Sequence, residues 1–247
     1  SFKANTLTEN GTVTEAVVET SAELLGYSGF STTNNLSRAN DADWNSIGNG
    51  SLTLMGWYKS TADGDIYICG LYNADDTIRF VMSQNGGKAM AISDGATTYT
   101  TVSEGSAEQY RDSKWHQFCW VRTSNVLHEL YMDGVSIGTT TTDTGSITGT
   151  LLFYAGRDGA NNSAGATGNL SLSLVRLSAT IPTATQVRQM YDAEKGMFVA
   201  SAECLLQSGS TDAVLDVDVD PLTNKVIVTQ TDAITIFDGL VVDSKPT

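Results

Sequence analysis

The chain has 247 residues, a hydrophobic content of 40% and a formal net charge of -14, so it is long enough to bury a sizeable core. Its 14 lysine and arginine residues are scattered rather than arranged in a basic stripe, which argues against nucleic acid as a partner. The chain lacks a run of 18 apolar residues and a signal-peptide pattern at its start, so we expect no membrane insertion.

The first 28 residues are rich in Thr and Glu and give only a weak pattern. Residues 12–18 alternate as in a strand, although residues 15–25 would also fit a short helix; strand and linker are favoured. The pattern sharpens at Gly29, and residues 30–38 are predicted to form the first strand of the main domain.

The next segments are short and strand-like. Residues 52–59 are apolar on both faces, with Met55 and Trp57 on one side and Leu52, Leu54 and Tyr58 on the other. Further strands are predicted at residues 65–72, 77–84, 88–93 and 97–102. Regularly spaced short strands with glycine and asparagine turns indicate an all-β sandwich or barrel rather than a parallel α/β sheet.

The strongest strand and turn signals lie together in residues 114–134, KWHQFCWVRTSNVLHELYMDG. The run from Trp115 to Val121 is apolar on both faces, which is typical of a strand packed between two layers. Residues 126–132 form a second strand that ends at Asp133-Gly134, a dipeptide suited to a tight hairpin, and residues 135–142 form a third.

Two further strands and one helix are predicted after this unit. Residues 151–156 and 169–177 are the strands, separated by a polar glycine-rich loop. In the second strand, Leu170, Leu172 and Leu174 are expected to point one way and Ser171, Ser173 and Val175 the other.

The helix is predicted from a capping box at residues 183–186 and an apolar stripe of Val187, Met190 and Tyr191. Gly196 is expected to be its C-terminal stop. The stripe is expected to dock on the edge of the sandwich as core packing without a functional role.

Three cysteines, Cys69, Cys119 and Cys204, have no metal-like spacing. We expect buried thiols that pack as small hydrophobic side chains, and a disulfide between Cys69 and Cys119 is the less favoured alternative.

Four segments in order, WHQFCWVR, LYMDGVSIGT, LLFYAGRDG and LSLVRLSATIPTATQVRQMY, resemble the laminin-G-like, concanavalin A-like jelly roll. The resemblance covers residues 29–198 and implies two packed antiparallel sheets of about fourteen strands. Residues 1–28 would be an N-terminal linker or strand, and residues 199–247 a small C-terminal β segment leading to an adjoining module.

The C-terminal segment, residues 213–238, reads as three short strands. Together with its neighbours it resembles parts of phage virion proteins, such as tail fibres, receptor-binding proteins and capsid decorations. Asp216, Asp218 and Asp220 alternate onto one strand face, where a solvated acidic edge that blocks strand-to-strand aggregation is favoured over catalysis.

Enzymatic chemistry has little support in the sequence. Of the two histidines, His116 is interpreted as a structural residue at the end of a strand and His128 as solvated, and neither belongs to a nucleophile, base and orienting-group series. The glucanase relatives of this fold use a Glu-x-Asp-x-Glu type strand, which does not occur here, so no catalytic residue is predicted.

Ligand binding is the favoured function class, because two loops combine carboxylates, amides and glycines. The candidate ligand-binding residues are Asp63, Asp65, Tyr72, Asn73, Asp158, Asn161 and Asn162. Family calcium sites use loop aspartates, so Asp63, Asp65 and Asp158 are the candidate metal ligands and calcium is the candidate cofactor, with no cofactor as the alternative. The same residues also suit plain turns.

The resulting hypothesis is a non-enzymatic virion surface module that binds a cell-surface glycan or host receptor. It would contact other virion proteins and form a homo-oligomer, a trimer if it belongs to a fibre. The alternatives are a structural spacer, decoration or oligomerisation domain of the virion, an extracellular adhesion domain, and, least favoured, a glycoside hydrolase.

Overall fold

The computed structural model describes residues 6–20, 22, 24–40, 51–61, 66–73, 79–84, 91–93, 98–100, 108–123, 127–141, 150–157, 169–199, 213–238 and 241–244. The chain divides into two compact units, Ser1–Ala200 and Ser201–Thr247. Within the described residues, none of the helices has the length and apolar character that a membrane crossing requires.

The described part of the first unit consists of short strands and one α-helix. The strands are β1 (Thr8–Asn10), β2 (Thr14–Val17), β3 (Leu25–Ser28), β4 (Asn35–Arg38), β5 (Leu52–Lys59), β6 (Ile66–Asn73), β7 (Arg79–Gln84), β8 (Ala91–Ser93), β9 (Thr98–Thr100), β10 (Trp115–Thr123), β11 (Leu127–Met132), β12 (Val135–Thr140), β13 (Leu151–Ala155) and β14 (Ser171–Ser178). The helix α1 is Ala184–Glu194, and 3-10 turns occur at Glu108–Tyr110 and Lys195–Phe198.

These strands form two seven-stranded antiparallel sheets, which confirms the predicted sandwich of jelly-roll type. The first sheet has the order β1-β4-β13-β6-β7-β8-β9, and the second has the order β12-β11-β10-β5-β14-β3-β2. At the centre of the second sheet, β10 and β5 pair continuously from Trp115 opposite Lys59 to Arg122 opposite Leu52. The stretch with the strongest sequence signal is therefore at the centre of its sheet.

The main core lies between the two sheets and confirms the predicted faces of β5. Leu52, Leu54 and Tyr58 belong to the inter-sheet cluster, together with residues of the first sheet. Met55 and Trp57 belong to two smaller clusters on the outer face of the second sheet. Both faces of this sheet are therefore covered, as its continuous apolar runs require.

The regular alternation predicted for residues 169–177 is wrong after Ser173. The pairing of β14 with β5 shifts between Ser173 and Arg176, and Leu174 has a φ of 49°. This bulge places an extra residue in β14, so Leu174 packs in the outer cluster with Trp57. Leu172, Val175 and Leu177 of β14 pack on the inter-sheet core, as does Leu170 just before the strand.

The helix begins as predicted but ends differently. The Thr183 side chain accepts the backbone N–H of Gln186 at 3.2 Å, and the Gln186 side chain accepts the backbone N–H of Thr183 at 2.8 Å, which is a complete capping box. The α-helix ends at Glu194 and tightens into the 3-10 turn Lys195–Phe198. Gly196 lies inside that turn, so it is not the predicted stop.

The helix packs on a face of the second sheet, so the prediction that it docks on the sandwich edge is wrong. Val187 is fully buried against Met55, Cys119, Val121 and Tyr131. These four residues occupy the outward positions of β5, β10 and β11, which the alternation of the strands makes apolar. The helix is thus a third layer over the outer face.

The N-terminal residues contribute strands to both sheets. β1 pairs with β4 in the first sheet, whereas β2 pairs with β3 in the second, which confirms the strand prediction for residues 12–18. The strand predicted at residues 30–38 begins only at Asn35, because Ser31 and Asn34 close a turn in which the Ser31 N–H donates to the Asn34 carbonyl at 2.9 Å. Phe30 reaches the core from this turn with 1% of its surface exposed.

The second unit contains one four-stranded antiparallel sheet in its described residues. Its strands are β15 (Val214–Val219), β16 (Val226–Gln230), β17 (Ile234–Asp238) and β18 (Val241–Ser244), in that order. The three predicted strands are present and β18 is an addition. Asp216 and Asp218 are exposed on the edge strand β15, as predicted. Asp220 lies instead in the following turn, where its Oδ1 accepts the N–H of Leu222 at 2.9 Å.

Cys69 and Cys119 are buried free thiols, which confirms the favoured prediction and excludes the disulfide between them. Cys69 belongs to β6 in the first sheet and Cys119 to β10 in the second. Cys204 lies outside the described residues.

Candidate functional site

A cleft of about 390 Å³ opens where several strands of the second sheet end. Its described lining consists of Ser28, Gly29, Lys59, Ser60, Thr61, Ser113, Asn169, Leu170 and Ser171, and we call it the strand-end cleft. The lining combines hydroxyl groups, one amide and one ammonium group. The hydroxyl and amide groups both donate and accept hydrogen bonds and the ammonium group donates them, which suits a ligand with many hydroxyls.

The sheet register brings these residues together. Lys59 lies opposite Trp115 on β10 and opposite Ser171 on β14, so the end of β5 meets the starts of its two neighbours. Tyr27 lies opposite Leu172, which adds the end of β3. Leu170, which is 1% exposed, joins the cleft to the inter-sheet core.

A tight turn before β10 forms another wall of the cleft. Ser113 has a φ of 68°, a left-handed conformation, and its N–H donates to the Ser60 carbonyl at 3.3 Å. Asp112 stabilises the same turn, because its Oδ1 accepts the N–H of Lys114 at 3.0 Å. The position of the Ser113 side chain therefore depends on hydrogen bonds on both sides of the turn.

Lys59 is the charged residue of the described lining. Its Nζ lies 3.2 Å from Glu19 Oε1 and 5.3 Å from the centre of a Trp115 ring. The Trp115 indole in turn donates to the Val18 carbonyl at 3.0 Å. The ammonium group is thus held by a carboxylate and an aromatic face, and its side chain is 30% exposed.

Two loops that the sequence singled out start or end at this cleft. Thr61, which begins the loop of Asp63 and Asp65, is exposed in the lining, and so is Asn169, which follows the loop of Asp158, Asn161 and Asn162. Those five predicted ligand-binding residues lie outside the described residues. Their assignment as glycan or metal ligands stays a prediction.

The other two predicted site residues belong elsewhere. Tyr72 is fully buried, and its hydroxyl donates to the Arg157 carbonyl at 3.3 Å, so its side chain has a packing role rather than an exposed face for a ligand. Asn73 ends β6, whereas Ile66, which follows Asp65, begins it. Eight residues of extended strand separate the two ends by about 23 Å, so closeness in sequence does not place Asn73 beside Asp65.

Next to the cleft, His116 joins two aspartates. Its Nδ1 lies 2.8 Å from Asp133 Oδ2, and its Nε2 lies 3.0 Å from Asp112 Oδ1. The Tyr110 ring packs against the imidazole in a T-shaped arrangement, with ring centres 5.2 Å apart. His116 therefore has the structural role that the sequence indicated, and it links the hairpin after β11 to the turn that carries Ser113.

The two aspartates set the protonation of this histidine. Burial alone lowers the pKa of His116, but the hydrogen bonds to Asp133 and Asp112 outweigh it and raise the pKa above its usual value. Burial by itself raises the pKa of Asp112, but hydrogen bonds from His116 and Lys114 lower it to about 2. The cluster therefore favours the protonated form of His116.

His128 is 1% exposed, so the expectation that it is solvated is wrong. It shares the inward face of β11 with Leu130 and Met132, which belong to the inter-sheet core. The alternation of the strand contains this information, because His128, Leu130 and Met132 have the same parity.

Sequence reasoning missed most of the cleft residues. Lys59, Ser113, Asn169 and Ser171 are distant in sequence and carry no motif. The sequence signal that could have found them is their position, since each lies within two residues of the start or end of a predicted strand. Across the part of the chain that the structure describes, no group of three His, Cys, Asp or Glu side chains could hold a metal ion.

Residues 30–188 match the model of a family described as the concanavalin A-like lectin/glucanases superfamily. The match covers more than half of the chain and includes β4 to β14 and the start of α1. A comparison with curated protein sequences found no match.

Solved structures with a similar fold include receptor-binding domains. The crystal structure of one receptor binding domain has a TM-score of 0.59 and 9% identity, and the match covers 98% of this chain and 63% of that chain. The binding domain of botulinum neurotoxin DC in complex with rat synaptotagmin II gives a TM-score of 0.58, 9% identity and coverages of 94% and 57%.

The binding domain of botulinum neurotoxin DC in complex with SialylT gives a TM-score of 0.57, 8% identity and the same coverages, 94% and 57%. At such identities the likeness shows the fold alone. The chain spans 57% to 63% of the length of these three structures.

Proposed function

We propose that this chain, which belongs to the concanavalin A-like lectin/glucanases superfamily, is a non-enzymatic recognition module that binds a cell-surface glycan in its strand-end cleft. The observation that carries the proposal is the meeting of four strand ends around a polar lining. A sugar presents hydroxyl groups in several directions, and the cleft offers hydroxyls, an amide and an ammonium group to bind them.

Recognition is favoured over glycoside hydrolysis by the arrangement of the carboxylates. A hydrolase of this kind needs two carboxyl groups that flank the glycosidic bond. None of the described residues that line the cleft carries a carboxylate. The nearby pair, Asp112 and Asp133, is bridged by the His116 ring, which occupies the space where a scissile bond would have to lie.

The same cluster is unsuited to nucleophilic catalysis. Both nitrogens of His116 are hydrogen-bonded to carboxylates, so neither is directed at a serine hydroxyl or a cysteine thiol. Cys119, the described cysteine on the same strand, is buried, and burial raises the pKa of its thiol to about 12.

Glycan arrays probed with the full chain test this function. Wild-type protein should bind a subset of the glycans. The Thr61→Ala and Asn169→Ala variants should each bind these glycans at least about fivefold more weakly, because each loses a hydrogen-bonding group. Both side chains are exposed, so folding should be unaffected. Thr139→Ala, an exposed change on β12 outside the cleft lining, is the matched control. Absence of binding to every glycan, or binding by both cleft variants as tight as that of the wild-type protein, would contradict the proposal.

The proposed setting is the surface of a phage particle, with an extracellular adhesion domain as the alternative. The resemblance of residues 213–238 to virion proteins supports this setting, and so does the exposed apolar side of β15. This edge strand exposes Leu215, Val217 and Val219 at 65%, 57% and 51%, which favours contact with another protein chain. Mass spectrometry of purified virions tests the setting, and absence of the chain from them would count against it.

Single shallow sites bind weakly, so the proposal includes a homo-oligomer, a trimer if the module belongs to a fibre. Light scattering after size-exclusion chromatography should show an assembly larger than one chain. Val217→Asp would place a charge on the exposed apolar side of β15 and should produce monomers. A wild-type monomer that still binds cells tightly would contradict this part.

Calcium remains the proposed cofactor, through Asp63, Asp65 and Asp158. A bound ion stabilises the folded state, so calcium should raise the melting temperature relative to a chelator. The triple change of these residues to Asn should abolish that difference. An equal melting temperature of wild-type protein with calcium and with a chelator would remove calcium from the proposal. The proposal that the strand-end cleft binds a glycan does not depend on this result.

A further inference from the structure

The charge state of the cleft has a consequence for the class of sugar that it accepts. Lys59 is the one charged residue among the nine described lining residues, and Glu19 lies within 3.2 Å of it. Both side chains are mostly buried, with exposures of 30% and 27%, so solvent screens their attraction less than that of a surface pair. Among the described lining residues, the one charge is therefore balanced before any ligand enters.

From this balance we infer that the strand-end cleft takes an uncharged sugar residue and discriminates against sugars that carry a carboxylate, an inference that rests on the proposed glycan-binding function. An acidic sugar that paired with Lys59 would either displace Glu19 or share the ammonium group with it. In both cases its carboxylate would lie beside the Glu19 carboxylate, with one lysine for two negative charges. Such a like-charge contact strongly disfavours binding.

The remaining groups of the lining suit a neutral ligand. The Lys59 ammonium has three N–H donors, of which one is used by Glu19, so the others can donate to sugar hydroxyl or ring oxygens. Ser28, Thr61 and Ser113 offer hydroxyls, which accept as well as donate hydrogen bonds. None of these interactions requires a charge on the ligand.

The electrostatic field of the whole chain also disfavours the binding of acidic sugars. A formal net charge of -14 repels anionic ligands before contact and leaves neutral ones unaffected. Removing only the Glu19 charge would change the local preference and leave this field nearly intact. The two contributions are therefore separable by a single substitution.

The experiment uses immobilised N-acetyllactosamine-type glycans in pairs that differ only by a terminal sialic acid, probed with the full chain and with Glu19→Gln. Wild-type protein should bind the neutral member of each retained pair, and added salt should change that binding little. Glu19→Gln should raise the ratio of acidic to neutral binding by about tenfold, because one like charge is removed beside Lys59.

A second measurement does not depend on the variant. Free lactose should compete for the wild-type protein better than free sialyllactose does. Preference of wild-type protein for the acidic members, or an unchanged ratio in folded Glu19→Gln, would overturn the inference and leave glycan binding intact. Absence of binding to every glycan would instead overturn the proposed function, and the inference with it.

Discussion

Asp133 Oδ2 lies 2.8 Å from His116 Nδ1, while the other oxygen of the same carboxylate accepts the backbone N–H of Gln117 at 2.9 Å. Asp133 also donates its own N–H to the Gln117 carbonyl at 2.9 Å. Its φ of 51° is the left-handed conformation that the predicted Asp-Gly hairpin requires. One turn residue therefore fixes the hairpin to the central strand and orients the histidine.

The first prediction concerns pH. The pKa of His116 is higher in the folded protein than its usual value, because the hydrogen bonds to Asp133 and Asp112 outweigh the effect of burial. Protonation of His116 therefore stabilises the fold. This contribution is complete below the unfolded pKa of about 6.5 and is lost as the pH rises through the folded pKa. Stability should therefore fall as the pH rises from about 6.5, the unfolded pKa, through the raised pKa of the folded protein.

Urea unfolding followed by tryptophan fluorescence measures this effect in the first unit, because all four tryptophans lie within Ser1–Ala200. In His116→Gln the fall with pH should be much smaller. A wild-type stability that rises over the same range would show that the histidine is not held in its protonated form.

The second prediction concerns the attachment of α1. Glu194 accepts the Trp57 indole N–H at 2.7 Å and pairs with Arg176 at 2.7 Å, and its side chain is only 13% exposed. Glu194→Ala should destabilise the first unit by about 2 to 3 kcal/mol, because a buried donor and a cation lose their acceptor. Urea unfolding provides the value.

Asp192→Ala is the matched control, since Asp192 pairs with Arg188 and Lys195 on the exposed side of the same helix. It should change stability little. Equal effects of the two substitutions would mean that Glu194 does not anchor the helix to the sheet.

The third prediction compares two glycines. Gly156 has a φ of 75°, and a Cβ at this position would overlap the Phe30 ring. Gly156→Ala should therefore destabilise the protein by about 2 kcal/mol or more, from backbone strain and overpacking. Gly196 has open space around its Cβ position, so Gly196→Ala should stabilise the protein slightly, by about 0.5 kcal/mol. Thermal melting should show opposite signs, and a shared sign would contradict the turn geometry.

The fourth prediction concerns the thiols. Cys69 and Cys119 are buried, and burial raises the pKa of both thiols, that of Cys119 to about 12. Iodoacetamide at about pH 8 should modify neither in the native protein and both after denaturation. Peptide mapping by mass spectrometry distinguishes them from Cys204. Rapid native labelling of Cys119 would show that α1 does not cover the outer face of the sheet.

The sequence predicted the strands well because their signals are local. The bounds of β5 agree with the predicted residues 52–59, and the two-sided apolar pattern of β10 correctly indicated a strand between two layers. The position of α1 was not predictable in this way. Its apolar stripe specifies that something covers it, whereas the choice between an edge and a face depends on the outward residues of distant strands.

The candidate site was harder to predict for a related reason. Aspartates and asparagines in loops attract attention as ligands, but most of the polar residues that line the cleft are serines, a threonine and a lysine at or beside strand ends. Only the register between β5, β10 and β14 brings them together. Register depends on long-range pairing, which a single sequence does not reveal.

The irregularity at Leu174 makes the number of residues in β14 as important as their hydrophobicity. If the same sequence continued from Ser173 in simple alternation, Val175 and Leu177 would leave the interior, and the arginine that meets Glu194 would turn away from the helix. The extra residue therefore keeps the inner layer closed and the outer layer attached. Removing that one residue would take away the bulge and leave Arg176 opposite Met55 and Leu177 opposite Leu54, so the strand would keep its faces and lose only the packing of Leu174.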